Sequence, residues 1–89
     1  MQFDWILWDE EGDEPNNVEP IAEHGVTPEE VQEVLESVPE SRIVPSRSSG
    51  RPCVIGETAA GRTLFVAFDY LDIPGMVVPY PVKAFDPED

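Results

Sequence analysis

Basic residues, histidine and cysteine are all scarce in this 89-residue chain. Five Lys and Arg residues stand against 19 Asp and Glu residues, which gives a formal net charge of -14. A surface of this charge repels phosphate backbones at long range, so we expect no direct DNA binding. One histidine and one cysteine allow neither an intramolecular disulfide nor a credible zinc site, and a glycine-rich phosphate loop is absent. We therefore expect no metal and no other cofactor.

The chain also lacks a long apolar run. Its N-terminal stretch MQFDWILWDEE has no basic region, and Asp4 and Asp9 interrupt and end the apolar residues. This pattern is that of neither a signal peptide nor a membrane span, so we expect a cytoplasmic protein without a membrane partner. Its length suits one domain over residues 1–89, with an acidic loop at about 9–16 and a poorly ordered tail at about 84–89.

The charges present are unevenly distributed. Residues 1–41 hold 13 carboxylates and no Lys or Arg, whereas residues 42–89 hold six carboxylates and all five basic residues. An anion site, if the chain has one, must therefore be built from the second part. The acidity has two explanations that the sequence leaves open, which are a surface for a basic partner and adaptation to a salty cytoplasm.

Two helices are predicted after an N-terminal strand. QFDWILW alternates in the manner of a strand that places Phe3, Trp5 and Leu7 on one face. Asn17 is a candidate cap for a short helix that Gly25 ends in the left-handed conformation. Thr27 and Glu30 then stand at capping-box spacing, and an apolar stripe follows at helical period in Val31, Val34, Leu35 and Val38.

The second half of the chain reads as strands. RIVPS is a short edge piece, PCVIGE is a compact apolar run, and RTLFVAFDY has two apolar faces, which favours a central strand. Pro74-Gly75 fits a type II turn, and Pro79 and Pro81 fit only a sheet edge. We predict an α+β fold in which two N-terminal helices pack on one antiparallel sheet of about four strands.

These segments resemble a known family. An Asn before H-G-V, the capped helix T-P-E-E-V-Q-E-V and the hairpin R-P-C-V-I-G-E-T-A-A-G-R-T-L-F-V-A-F are similar to the BrnT-type toxins of bacterial type II toxin–antitoxin systems, over about residues 3–68. The resemblance implies a RelE-like ribonuclease fold, metal-independent RNA cleavage and a small DNA-binding antitoxin partner. Arg51, Ile55-Gly56, Gly61-Arg62 and His24 match family positions.

The chain departs from the family pattern at two places. Glu23 stands where a lysine usually precedes the histidine, and the basic C-terminal tail is replaced by PYPVKAFDPED. Both changes remove positive charge from the expected active site. We therefore expect an interaction protein with reduced or absent ribonuclease activity, which binds a basic protein such as an antitoxin-like DNA-binding protein through its acidic face. The alternative is an active metal-independent ribonuclease toxin (mRNA interferase), and RNA is an expected partner only in that case.

If the chain cleaves RNA, each candidate residue has a chemical role. Arg51 and Arg62 would hold phosphate, Lys83 or His24 would transfer the 2′-hydroxyl proton, and Tyr80 would stack a base. Each also has a structural explanation. The arginines would pair with surface carboxylates, Lys83 and Tyr80 would be ordinary edge-strand residues, and His24 would complement the negative end of a helix.

Overall fold

The computed structural model describes residues 1–9 and 18–87 and has the α+β architecture that the sequence predicts. Two helices are followed by a short 3-10 helix and four antiparallel strands in the order β1-β2-β3-β4. No helix in the described part of the chain has the length and apolarity needed to cross a membrane. The elements are α1 Val18–Ala22, α2 Pro28–Ser37, the 3-10 helix Glu40–Arg42, β1 Val44–Pro45, β2 Pro52–Glu57, β3 Thr63–Tyr70 and β4 Pro79–Phe85.

Helix α2 begins at the predicted capping box. The Thr27 hydroxyl accepts the Glu30 N–H at 3.2 Å, and the Glu30 carboxylate accepts the Thr27 N–H at 3.1 Å. Two N–H groups that the first turn leaves without helical partners are thus satisfied. The predicted stripe Val31, Val34, Leu35 and Val38 is buried and packs with Ile21 of α1 in the core.

The helices cover one face of the sheet, with α2 against β2 and α1 against β4. Gly56 lets α2 approach closely, because an added Cβ there would lie 2.6 Å from a methyl group of Val38. The sheet contributes a buried apolar layer to this contact, made of Val54, Leu64, Val66, Phe68 and Ala84. No helix of the described residues covers the opposite face, and we call it the open face; its residues include Ile55, Phe65, Asp69, Tyr80, Lys83 and Phe85.

The strand predictions for the second half are largely confirmed. β2 spans the PCVIGE segment, β1 is a two-residue edge, and β3 lies between β2 and β4. Gly75 has φ of 76°, and Met76 N–H donates to the Ile73 carbonyl at 3.1 Å, as a type II turn requires. β4 extends through Phe85, two residues into the tail predicted from about residue 84.

The predicted N-terminal strand is wrong. Residues 1–9 lie beside β4 without forming a ladder, and the segment is joined to this edge by Asp4 N–H to the Val77 carbonyl at 2.8 Å and Leu7 N–H to the Pro79 carbonyl at 3.1 Å. The backbone nitrogens of Pro79 and Pro81 face this side and carry no hydrogen. β4 therefore lacks the N–H donors that a ladder with residues 1–9 would need. The edge position predicted for both prolines is thereby confirmed.

The apolar face predicted for this segment is wrong in part, because of its three residues Phe3 packs against the core but Trp5 does not. Phe3, Ile6 and Trp8 pack against the core, whereas Trp5 is 42% exposed. This spacing breaks the strict alternation on which the strand prediction depended. The predicted cap Asn17 and nearly all of the acidic loop at 9–16 lie outside the described residues, as do residues 88–89.

Candidate functional site

Arg51 and Lys83 lie around one hollow on the open face. The hollow has a volume of about 360 Å³, and its walls include Phe65 and Phe85. Arg51 pairs with Asp69 at 3.1 Å between Nε and Oδ1, with both side chains nearly half exposed. Exposed pairs of this kind contribute about 0 to 1 kcal/mol, so the pair leaves the guanidinium free to exchange partners.

Aromatic rings connect Lys83 to His24 across this face. The Lys83 ammonium lies 5.2 Å from the centre of the Phe85 ring, which lies 4.9 Å from the Phe65 ring and 5.9 Å from the His24 imidazole. Phe85 therefore contacts both proton-transfer candidates. The arrangement offers a cation and flat ring surfaces on one side of the sheet.

Arg62 is placed elsewhere. Its Nη1 donates to the Gly25 carbonyl at 2.9 Å and to both Glu30 carboxylate oxygens at 3.1 and 3.2 Å. Because Arg51 precedes β2 and Arg62 precedes β3, the antiparallel hairpin puts them at opposite ends, about 20 Å apart for six residues of strand. The structure thus brings Arg51 and Lys83 together and does not bring Arg62 to them.

Glu30 links the helix cap to Arg62. Burial raises the pKa of its carboxyl group. Hydrogen bonds from the Thr27 N–H and the Arg62 guanidinium, and the charge of Arg62, together lower that pKa by more, so it lies below the usual 4.5. Glu30 is therefore held in its charged form while it serves two partners. The contacts of Arg62 are those of a residue that fastens the β2–β3 hairpin to the helices.

His24 occupies the C-cap position between the two helices. Val26 N–H donates to the Ile21 carbonyl at 3.4 Å, and Gly25 N–H donates to the Ala22 carbonyl at 2.9 Å. With Gly25 at φ of 73°, these are the two bonds of a Schellman motif, in which His24 is the last residue before the left-handed glycine. The imidazole is exposed and contacts Phe85. The predicted role of Gly25 is confirmed, and His24 lies at the helix end as the structural explanation requires.

Tyr80 already has a partner. Its hydroxyl donates to the Asp9 carboxylate, and this hydrogen bond, with burial and the nearby charges of Asp9 and Asp69, raises the pKa of Tyr80 to about 12. The phenol connects β4 to the N-terminal segment. A base-stacking role would have to use the ring while its hydroxyl stays engaged.

A second hollow adjoins the first and was missed by sequence reasoning. It has a volume of about 540 Å³ and shares Ser46 and Phe65 with the first. Its other walls include Arg42, Arg47, Val44 and Ile55. The sequence does contain one signal for this hollow, because two arginines flank the apolar pair Val44-Pro45. That Ile55 and Phe65 complete the hollow follows only from the register of the sheet.

No group of three or more His, Cys, Asp or Glu side chains is placed for metal binding within residues 1–9 and 18–87. Comparisons of the chain with protein-family models, with curated proteins and with solved structures found no match. The BrnT resemblance consequently stays a prediction. The geometry that bears on function is an acidic helical surface on one side of the molecule and two cation-lined hollows on the other.

Proposed function

We propose that this chain is a BrnT-like interaction protein with reduced or absent ribonuclease activity, and that its helical surface binds a basic protein partner. The observation that carries the proposal is a row of carboxylates on and beside the helices without matching cations. Glu29 and Glu36 are exposed on α2, Glu33 is half-buried, and Glu23 and Glu40 are exposed beside the helices. A surface of one sign steers an oppositely charged partner and sets its orientation.

The placement of the candidate residues supports reduced ribonuclease activity. Arg62 is bound to Glu30 and Gly25, and Tyr80 is bound to Asp9. A transition state for RNA cleavage needs several cations at one phosphate, because negative charge accumulates on its oxygens. Of the two family-matching arginines, only Arg51 lines the hollow that contains Lys83.

A binding measurement tests the proposed surface. We expect a fluorescein-labelled, lysine-rich peptide to bind the wild-type chain, and Glu29→Gln/Glu36→Gln to weaken binding about 2- to 20-fold. The matched control is Glu57→Gln/Asp72→Asn, which changes the net charge by the same amount at exposed sites outside the helices. Equal weakening by both double variants would mean that the peptide reports only net charge, and the proposed surface would be wrong.

One observation favours the alternative of an active ribonuclease, which is the meeting of Arg51, Lys83, Phe65 and Phe85 in one hollow. In that reaction the ribose 2′-oxygen attacks the adjacent phosphorus and loses its proton, and the 5′-oxygen leaves and gains one. The products are a 2′,3′-cyclic phosphate and a free 5′-hydroxyl. The cations would stabilise the phosphorane charge between these steps.

Incubation of the protein with single-stranded RNA in EDTA distinguishes the two functions. The interaction protein leaves the RNA intact at low and high salt. Fragments with 2′,3′-cyclic phosphate ends that disappear in Arg51→Ala and Lys83→Ala would establish the ribonuclease instead. Arg62→Ala is a poor test variant, because it also removes the bonds to Glu30 and Gly25.

A further inference from the structure

The second hollow is lined by apolar side chains that are unusually exposed. Val44 and Ile55 are 53% and 50% exposed, which makes them the most exposed large apolar residues of those described. Both line this hollow, together with Pro45 and Phe65. Exposed apolar side chains that cluster in one concavity, instead of being scattered singly, are typical of a binding site.

The two arginines of this hollow also differ from the other two arginines described above. Arg51 and Arg62 form ion pairs with Asp69 and Glu30, whereas neither Arg42 nor Arg47 forms one with a residue in the described ranges. Both side chains line the hollow, and its lining includes no carboxylate. In a chain of net charge -14, two arginines without ion pairs beside an apolar floor form a local surface of the opposite sign.

We propose that this hollow binds an acidic, apolar peptide segment of a partner protein. The apolar side chains of the segment would rest on Val44, Ile55 and Phe65, and its carboxylates would pair with Arg42 and Arg47. An arginine fork binds a carboxylate through two parallel hydrogen bonds, which gives orientation as well as attraction. The hollow's volume of about 540 Å³ lies within the range usual for ligand sites.

The lining favours a peptide over RNA. Single-stranded nucleic acid binds through base stacking on aromatic rings and through phosphate neutralisation. This hollow has one aromatic wall, Phe65, and its other apolar groups are aliphatic. An RNA strand would also bring many phosphates toward an acidic molecule, whereas a short peptide brings few charges. The hollow is independent of the proposed helical surface, which is centred on α2 and has the opposite sign.

The test uses two short fluorescein-labelled peptides, one in which Asp alternates with Leu and one in which Lys alternates with Leu. Fluorescence anisotropy is measured with the full chain near 0.15 M salt, where charges more than about 8 Å apart are largely screened. We expect saturable binding of the Asp–Leu peptide despite the net negative charge of the protein. No saturation at up to about 1 mM protein would overturn the proposal.

Two pairs of variants locate the peptide. Arg42→Gln/Arg47→Gln should weaken binding of the Asp–Leu peptide about 3- to 20-fold. Gln2→Glu/Ala60→Glu, which changes the net charge equally at exposed positions outside the hollow, should leave binding unchanged. Ile55→Ser should weaken binding, and Met76→Ser, at an exposed apolar residue away from the hollow, should not. Thermal unfolding of each variant confirms that it is folded.

Other occupants of the hollow give different results. Weakening by the control variants as much as by the hollow variants would overturn the proposal. Displacement of the peptide by a single-stranded oligouridylate that binds more tightly would assign the hollow to RNA. Self-association of the wild-type chain that is lost in Arg42→Gln/Arg47→Gln would assign it to a second copy. Either assignment would also overturn the proposal.

Discussion

Gly56→Ala tests the close packing of α2 on β2. The added methyl group would lie 2.6 Å from Val38 Cγ1 and 3.1 Å from Val34 Cγ1, so helix and strand must separate or side chains must leave their preferred rotamers. Overpacking of this kind costs about 1 to 3 kcal/mol. Replacing a strand glycine by alanine also recovers about 0.5 to 1 kcal/mol of chain entropy. The mid-points of these two ranges give an expected net loss of about 1 kcal/mol in the free energy of unfolding.

Urea denaturation followed by circular dichroism measures this change. A chain of this size loses about 4 to 8 °C of melting temperature per kcal/mol, so thermal unfolding gives an independent value. Val38→Ala removes the nearest methyl group and serves as the second arm of a double-mutant cycle. The alanine at 56 should cost less in that background, with a coupling of about 1 kcal/mol. A Gly56→Ala protein as stable as wild type, or two additive substitutions, would refute the close approach.

The remaining predictions concern the cap, the half-buried Arg62–Glu30 ion pair and Tyr80. Thr27→Ala should lower the free energy of unfolding by about 1 kcal/mol through loss of the capping box, whereas Thr63→Ala on an exposed strand position should change it less, as urea denaturation will show. Because the folded pKa of Glu30 is lowered, its stabilising contribution is present above the unfolded pKa and is lost as pH falls through the folded value. Glu30→Gln should therefore lose less stability than wild type on acidification below about pH 4.5, and parallel losses in pH-dependent denaturation would contradict this. Tyr80, with its pKa raised to about 12, should ionise after an ordinary tyrosine in a near-ultraviolet absorbance titration, and Asp9→Asn should bring its pKa down. Since this folded pKa is raised, the stability that it provides is complete below about pH 10 and is lost as pH rises toward 12.

Local sequence signals predicted those parts of the fold that depend on neighbouring residues. The capping box is formed by side chains three residues apart, and the glycine at position 25 acts within one turn, so both could be read directly from the sequence. The prolines at 79 and 81 carried information about a sheet edge because a missing N–H excludes any position between two strands. The same signals could not show that this edge would leave residues 1–9 without a ladder.

The candidate site depended on contacts between distant residues, and there prediction was weaker. Arg62 is engaged by Glu30, 32 residues earlier, and nothing near either residue indicates the pair. The adjacency of Arg51 and Lys83 requires the register of three strands, and the hollow beside Arg42 requires the placement of β1. Residue identity gave the list of cations, but only the three-dimensional arrangement shows which of them share a surface.

The attachment of the N-terminal segment has a consequence for the order of folding. Asp4 and Val77 are 73 residues apart, and Asp9 and Tyr80 are 71 apart, yet both pairs are in contact. Closing so long a loop costs more entropy than closing any hairpin of the sheet, and β4 is the last of the described strands along the chain. We therefore expect Phe3, Ile6 and Trp8 to stay exposed to water until β4 has formed. We expect this segment to dock late, and the earliest residues of the chain to complete its core last.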